Sequence, residues 1–196
     1  QAPPATPNNA FDGLSYQQLG TVNINALGFY AQGSYALTDK LKLTAGGRFS
    51  YEKRKGEGSF DFLSSVSTDK AKSWNAFTPT VSLNYQATDN TLLYATVTRG
   101  FKSGVINIGS RNDVINPEYV WSYEIGLKTS TLDNKLQANL AGFYMDYSDL
   151  QVGFVDATSV VTTVNAASAR NYGLEAELRA RPVQGLTLEV FGTYLS

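Results

Sequence analysis

The chain has 196 residues and a net charge of −1, with 16 Lys and Arg against 17 Asp and Glu, so it fits one domain and lacks the basic excess of a nucleic-acid binder. It contains no cysteine and no histidine, which excludes a disulfide framework and a thiolate metal site and removes the commonest general base and zinc ligand. Tyr (12), Phe (10) and Gly (17) are frequent, and no apolar run of about 18 residues encodes a transmembrane helix.

Gln1 to Asn9 is rich in Pro and Asn, and residues 1–24 read as a loop or tail ahead of a folded part at 25–196. From there the dominant period is two. Segment 27–37 is followed by a tight turn, Thr38-Asp39-Lys40, and by segment 41–52. The latter sets Leu41, Leu43, Ala45, Gly47, Phe49 and Tyr51 opposite Lys42, Thr44, Arg48 and Glu52. Residues 55–73 are polar and read as a long loop. In 77–86, Phe77, Pro79, Val81, Leu83 and Tyr85 alternate with Thr78, Thr80, Ser82, Asn84 and Gln86. Pro79 removes a ladder donor, so a local irregularity is expected there.

Thr88-Asp89-Asn90 turns the chain into 92–101, a strand whose alternation is too poor to assign its faces. After a long loop at 103–117, segment 119–128 sets Tyr119, Trp121, Tyr123, Ile125 and Leu127 opposite Ser122, Glu124 and Lys128. Leu132-Asp133-Asn134 is the next tight turn, then strand 135–147 and a long loop at 149–168. Segment 171–180 sets Tyr172, Leu174, Ala176, Leu178 and Ala180 opposite Asn171, Glu175, Glu177 and Arg179. Val183-Gln184-Gly185 leads to the eighth segment, 186–195.

These segments are roughly twice the usual strand length, near the 9–11 residues that a tilted strand needs to cross a bilayer. Tight turns on one side and long loops on the other are the pattern of an outer-membrane barrel with periplasmic turns. The fold class expected is therefore all-β, a transmembrane antiparallel β-barrel represented by about eight strands paired in sequence order. Phe49, Tyr51, Phe77, Trp121, Tyr123, Tyr144 and Tyr172 fall toward the loop ends and Tyr35, Tyr85 and Tyr94 toward the turns, as two aromatic belts would. Both chain ends fall on the loop side, so the strands are expected to belong to a larger barrel. Two alternatives stay open: a complete eight-stranded barrel acting as adhesin or enzyme, and a soluble β-domain that binds a partner.

Four stretches sharpen the choice. They are Leu92 to Gly104 (LLYATVTRGFKSG), Asn116 to Lys128 (NPEYVWSYEIGLK), Phe143 to Gln151 (FYMDYSDLQ) and Asn165 to Glu177 (NAASARNYGLEAE). In this order and at hairpin spacing they resemble wall segments of TonB-dependent receptors, across roughly 74–196. The resemblance implies a 22-stranded barrel plugged by an N-terminal domain, residing in the outer membrane of a Gram-negative bacterium. It implies active uptake of a siderophore, cobalamin or oligosaccharide, with outer-membrane lipid, the TonB complex (through the plug) and a small-molecule ligand as partners. No plug or TonB-interacting segment is found in the chain, which is expected to be a partial barrel. Neither a cofactor nor catalysis is expected.

Candidate ligand residues are few. Arg99 and Lys102, flanking Gly100 near a strand's outer end, could attract an anionic ligand, or could form a charge network that orders the rim. Arg111, with Asn112 and Asp113, lies in a long loop over a pore mouth, where ligand contacts concentrate but where polarity is also ordinary. Glu175 and Glu177 lie about 7 Å apart at about 3.3 Å rise per residue, a separation that glycosidases use, yet on a lumen face they read as wall polarity. Asp146 and Asp149 are too few for calcium, which takes 6–8 oxygens.

Overall fold

A computed structural model describes residues 17–62, 64–110, 114–131, 133–155, 161–165 and 168–196. The strands, in chain order, are β1 (Gln17–Ala36), β2 (Leu41–Phe62), β3 (Ser64–Thr88), β4 (Thr91–Lys102), β5 (Val105–Ile106), β6 (Val114–Ile115), β7 (Glu118–Thr131), β8 (Leu136–Ser148), β9 (Gln151–Val155), β10 (Val161–Asn165), β11 (Ala169–Ala180) and β12 (Leu188–Leu195). Eight of them form one antiparallel sheet in the order β1-β2-β3-β4-β7-β8-β11-β12. The other four make two small hairpins, β5–β6 and β9–β10. The main sheet has β1 and β12 as its edges, and both are exposed along their whole length. A complete eight-stranded barrel would pair those two strands with each other. The sheet is instead a section of a wider wall.

Tight turns set the register. Asp133 and Asn134 both take positive φ (53° and 65°), the backbone of a type I′ hairpin turn, which Asp and Asn tolerate. Thr38 Oγ1 accepts from the amides of Lys40 (3.2 Å) and Leu41 (3.0 Å), closing the first turn. Because the side-chain period is two, each turn commits every residue of its hairpin to a face. One face carries register partners such as Leu43 and Leu83, Val81 and Val97, Leu127 and Leu140, and Ala176 and Leu140. The other carries Arg48 with Thr78, Glu124 with Thr96, and Glu177 with Asn139. Leu174, Ala176 and Leu178 thus lie opposite Glu175, Glu177 and Arg179, as the alternation predicted.

Several expectations are corrected. β1 starts at Gln17, so the segment expected to be a tail through residue 24 contributes its last eight residues to a strand; residues 1–16 lie outside the described ones. The stretch 55–73, expected to be a loop, continues β2 and β3 without a slip from Leu41↔Tyr85 to Phe62↔Ser64. Loops 103–117 and 149–168 each contain one of the small hairpins. Strand β4, unassignable from sequence, takes its faces from its neighbours. Leu93, Ala95, Val97, Arg99 and Phe101 join the apolar face, and Leu92, Tyr94, Thr96, Thr98 and Lys102 the polar one. Tyr94 therefore does not belong to the inner aromatic belt. The seven outer-belt aromatics do share the apolar face, through partners such as Phe49↔Phe77 and Tyr123↔Tyr144↔Tyr172.

Pro79 produces no irregularity in its ladder with β2, where it sits opposite Gly47. The amide of Gln86 donates to Lys40 O (2.7 Å), so even-numbered residues of β3 address β2 and odd-numbered ones address β4. Pro79 is odd, and the β3–β4 ladder ends beside it at Thr80↔Thr98. The missing donor faces Arg99 of β4, and the β3–β4 ladder stops there although β4 itself continues to Lys102, while Pro79 O accepts from Thr98 Oγ1 (3.3 Å). The register shift in this ladder falls instead between Gln86 and Thr88, next to the turn.

Candidate ligand vestibule at the loop end of the sheet

Among the described residues, the buried apolar side chains are Phe60, Trp74, Ala76, Ile106 and Ile115, and all lie at the loop end. They bury because segment 103–110 folds back over the polar face of the projecting β2–β3 hairpin. Glycine makes room for it: a Cβ on Gly56 would sit 2.7 Å from Ile106 Cγ2, and one on Gly104 only 2.3 Å from the Trp74 ring. Polar side chains then fasten the segment. Gln18 Nε2 donates to Ile108 O (2.7 Å), and Thr68 Oγ1 accepts from the amide of Gly109 (2.9 Å).

The β9–β10 hairpin joins the same cluster. Asn107 Nδ2 donates to Thr163 O (2.9 Å), and the Ser110 and Thr162 hydroxyls lie 2.7 Å apart. Asn165 binds the backbone of Asn116 at both ends of its amide (2.8 and 3.0 Å) and also donates to Asp149 O (2.8 Å). Gln151 Nε2 donates to Ser103 O (2.8 Å) and Asn116 O (2.9 Å). Three stretches that look like separate polar loops in sequence are therefore one packed assembly on the polar side of the sheet. One clue lay in Val105-Ile106-Asn107-Ile108, an apolar run inside a supposed loop.

Below this assembly the polar face carries hydrogen-bonded charges and two ion pairs among the described residues. Arg48 Nε donates to Ser50 Oγ (3.1 Å), and Arg54 pairs with Glu52 (2.5 Å). Tyr94 donates to Glu124 (2.6 Å), Asn139 to Glu177 (2.9 Å), and Arg179 lies 2.7 Å from Glu189. The Tyr94 ring lies flat over Gly126, where a Cβ would come within 2.4 Å of it. Near the hairpin tip, well past Tyr51, the Ser65 and Ser59 hydroxyls hold the Asp61 carboxyl below the usual carboxylate range. No group of three or more potential metal ligands occurs among the described residues.

The structure sets the two described candidate ligand residues, Arg99 and Lys102, on opposite faces of the sheet. Lys102 is on the polar face, 3.6 Å from Glu118, and more than half exposed. Arg99 is on the apolar face, its guanidinium 4.3 Å from the Tyr119 ring centroid. Arg111 lies outside the described residues. Asp146 pairs with Arg170 (3.4 Å).

A long-stranded open sheet with one polar and one apolar face, and with its long loops gathered at one end, matches a known family along its entire length. The family model is the TonB dependent receptor-like β-barrel, and it matches residues 1–196. The chain belongs to this family. Among relatives of this receptor barrel, the pesticin receptor of Yersinia enterocolitica is 27% identical over 96% of the chain. The metal-pseudopaline receptor CntO of Pseudomonas aeruginosa is 25% identical over 84%. The ferric yersiniabactin uptake receptor FyuA of Yersinia pestis superposes with a TM-score of 0.82 at 23% identity, over 92% of this chain and 28% of that one. The receptor barrel described here spans 29% of the length of that pesticin receptor and 23% of CntO. These relatives are receptors and transporters, and the localisation is the outer membrane of a Gram-negative bacterium.

Proposed function

We propose that the chain forms eight consecutive strands of a TonB-dependent receptor that imports a scarce metal chelate of the siderophore class. The observation that carries the reading is the family match along the entire chain. The names of its relatives, which include receptors for ferric yersiniabactin and for a metal–pseudopaline complex, favour a metal chelate over cobalamin or an oligosaccharide. The apolar face contacts lipid in this reading. The polar face lines the lumen, where Arg48, Glu124 and Glu175 meet water or a plug domain supplied outside these strands, and that plug engages TonB. The packed loop assembly roofs the lumen, and Lys102 with Arg111 offers positive charge to an anionic chelate. Catalysis has no part in this reading, because the relatives it rests on are receptors rather than enzymes.

The test is uptake of radiolabelled ferric chelates by cells grown under iron limitation. Deleting the gene should abolish uptake of one chelate, the full-length protein should restore it, and loss of TonB or collapse of the proton gradient should stop it. Unchanged uptake of every chelate tried, or uptake indifferent to TonB, would overturn the proposal.

A further inference from the structure

On strands β4, β7, β8 and β11 the apolar face carries a charged row. Arg99 on β4, Trp121 on β7, Asp146 on β8 and Arg170 on β11 are successive register partners. Arg170 lies 3.4 Å from Asp146, and its side chain is 67% exposed. Arg99 donates to Phe77 O (3.5 Å), stacks over Tyr119, and keeps a buried Nε without a partner. The one carboxylate in the row neutralises only one of the two cations. Three strand spacings of about 4.8 Å separate the arginines by about 14 Å.

Below this row and the tyrosines next to it, the face is furrowed. Gly142 has no side chain between its register partners Ile125 and Leu174, and the furrow runs on past Leu140 and Tyr194 over about 800 Å³. Tyr123, Tyr144 and Tyr172 line an adjoining hollow that shares Ile125, Gly142, Leu174 and Tyr194 with the furrow, at the level where aromatic rings meet lipid headgroups. A cation on such a face is costly in hydrocarbon unless it reaches an anion at the interface. Guanidinium groups bind phosphate through paired hydrogen bonds.

We propose that this face seats one outer-leaflet lipid with a phosphorylated headgroup. The phosphates lie on Arg170 and Arg99, and an acyl chain fills the furrow over Gly142. The order of cations above and groove below matches the order of headgroup and chain in a lipid. Facing the membrane, the arginines have lipid headgroups as their available anions.

The test uses the full-length protein, purified from outer membranes in mild detergent and examined by native mass spectrometry for retained phosphorylated lipid. Arg170→Glu and Arg99→Glu should each lower occupancy about tenfold, the loss of one charge-assisted contact. Gly142→Leu should lower it as much by filling the furrow, since the nearest atom to a new Cβ is the flexible end of Leu174 at 3.3 Å. Lys42→Glu, on the polar face, should leave it unchanged, with folding of each variant checked by heat-modifiable gel migration. Lipid retained by folded Gly142→Leu and Arg170→Glu, or lost equally from Lys42→Glu, would overturn the proposal. Displacement by inorganic phosphate alone, or equal retention of a dephosphorylated lipid, would also overturn it.

Discussion

Consider an arginine walked down strand β11. Tyr172 belongs to the outer aromatic row, and Ala176 lies four residues further on, opposite Leu140. At about 3.3 Å per residue and a tilt of about 40°, Ala176 sits about 10 Å below Tyr172, close to the middle of an apolar band about 25 Å tall. Ala176→Arg should therefore destabilise the barrel by about 2–4 kcal/mol, whereas Tyr172→Arg, at the interface, should cost about 0–1 kcal/mol through charge burial, with Leu174→Arg between them. The control is Glu177→Arg, one residue from Ala176 on the opposite face. It gives up the exposed contact with Asn139 and should cost about 1 kcal/mol or less. The assay is reversible urea unfolding of the full-length protein in lipid vesicles, followed by tryptophan fluorescence. Equal costs for Ala176→Arg and Glu177→Arg, or a cost that does not fall from Ala176 toward Tyr172, would refute the facing and the depth scale together.

Gly126→Ala should cost about 1–3 kcal/mol, because the new Cβ drives the Tyr94 ring off its seat and breaks the bond to Glu124; adding Tyr94→Ala should recover part of that cost in the same unfolding assay. Trp74→Ala removes the side chain that segment 103–110 packs against, so limited proteolysis should cut within 103–117 at least about tenfold faster while the sheet's melting is unchanged. Asn134→Val places a β-branched residue at φ 65° and should lower stability by about 1–2 kcal/mol, whereas Asn134→Gly should not. Because Asp61 has a folded pKa below its ordinary value of 3.8, its contribution is present above that value and is lost as pH falls through the lower folded value. Amide exchange at the hairpin tip should accelerate in that window, and Asp61→Asn should remove the pH dependence.

Much of this protein is legible in its residues. Strict alternation in 41–52, 119–128 and 171–180 determines strand, face and outer belt together, because a period of two has one solution when one side is apolar. Asp and Asn in the turns then dictate hairpins in sequence order. The alternation fails in β4, which places Leu92 and Tyr94 on the polar face and Arg99 on the apolar one. There parity is decided by the ladders to β3 and β7, which no local pattern encodes. Tyr94 reads as a belt aromatic in sequence, but its place depends on a glycine 32 positions away.

The stretch 55–73 shows the same limit from the other side. Past the aromatic belt the sheet leaves the level where lipid would demand an apolar face, so its residues carry no two-fold hydrophobic signal. The strand persists because backbone hydrogen bonding continues, and the local sequence reads only as polar. Its polar face becomes a surface on which Ile106 and Ile108 land, with Asn107, Gln151 and Asn165 linking segments far apart in the chain. Sequence alone determined the wall, because each strand's partner is its neighbour in the chain. Tertiary structure decided the roof and the side of Arg99, because those depend on contacts between segments that meet only once the wall is built.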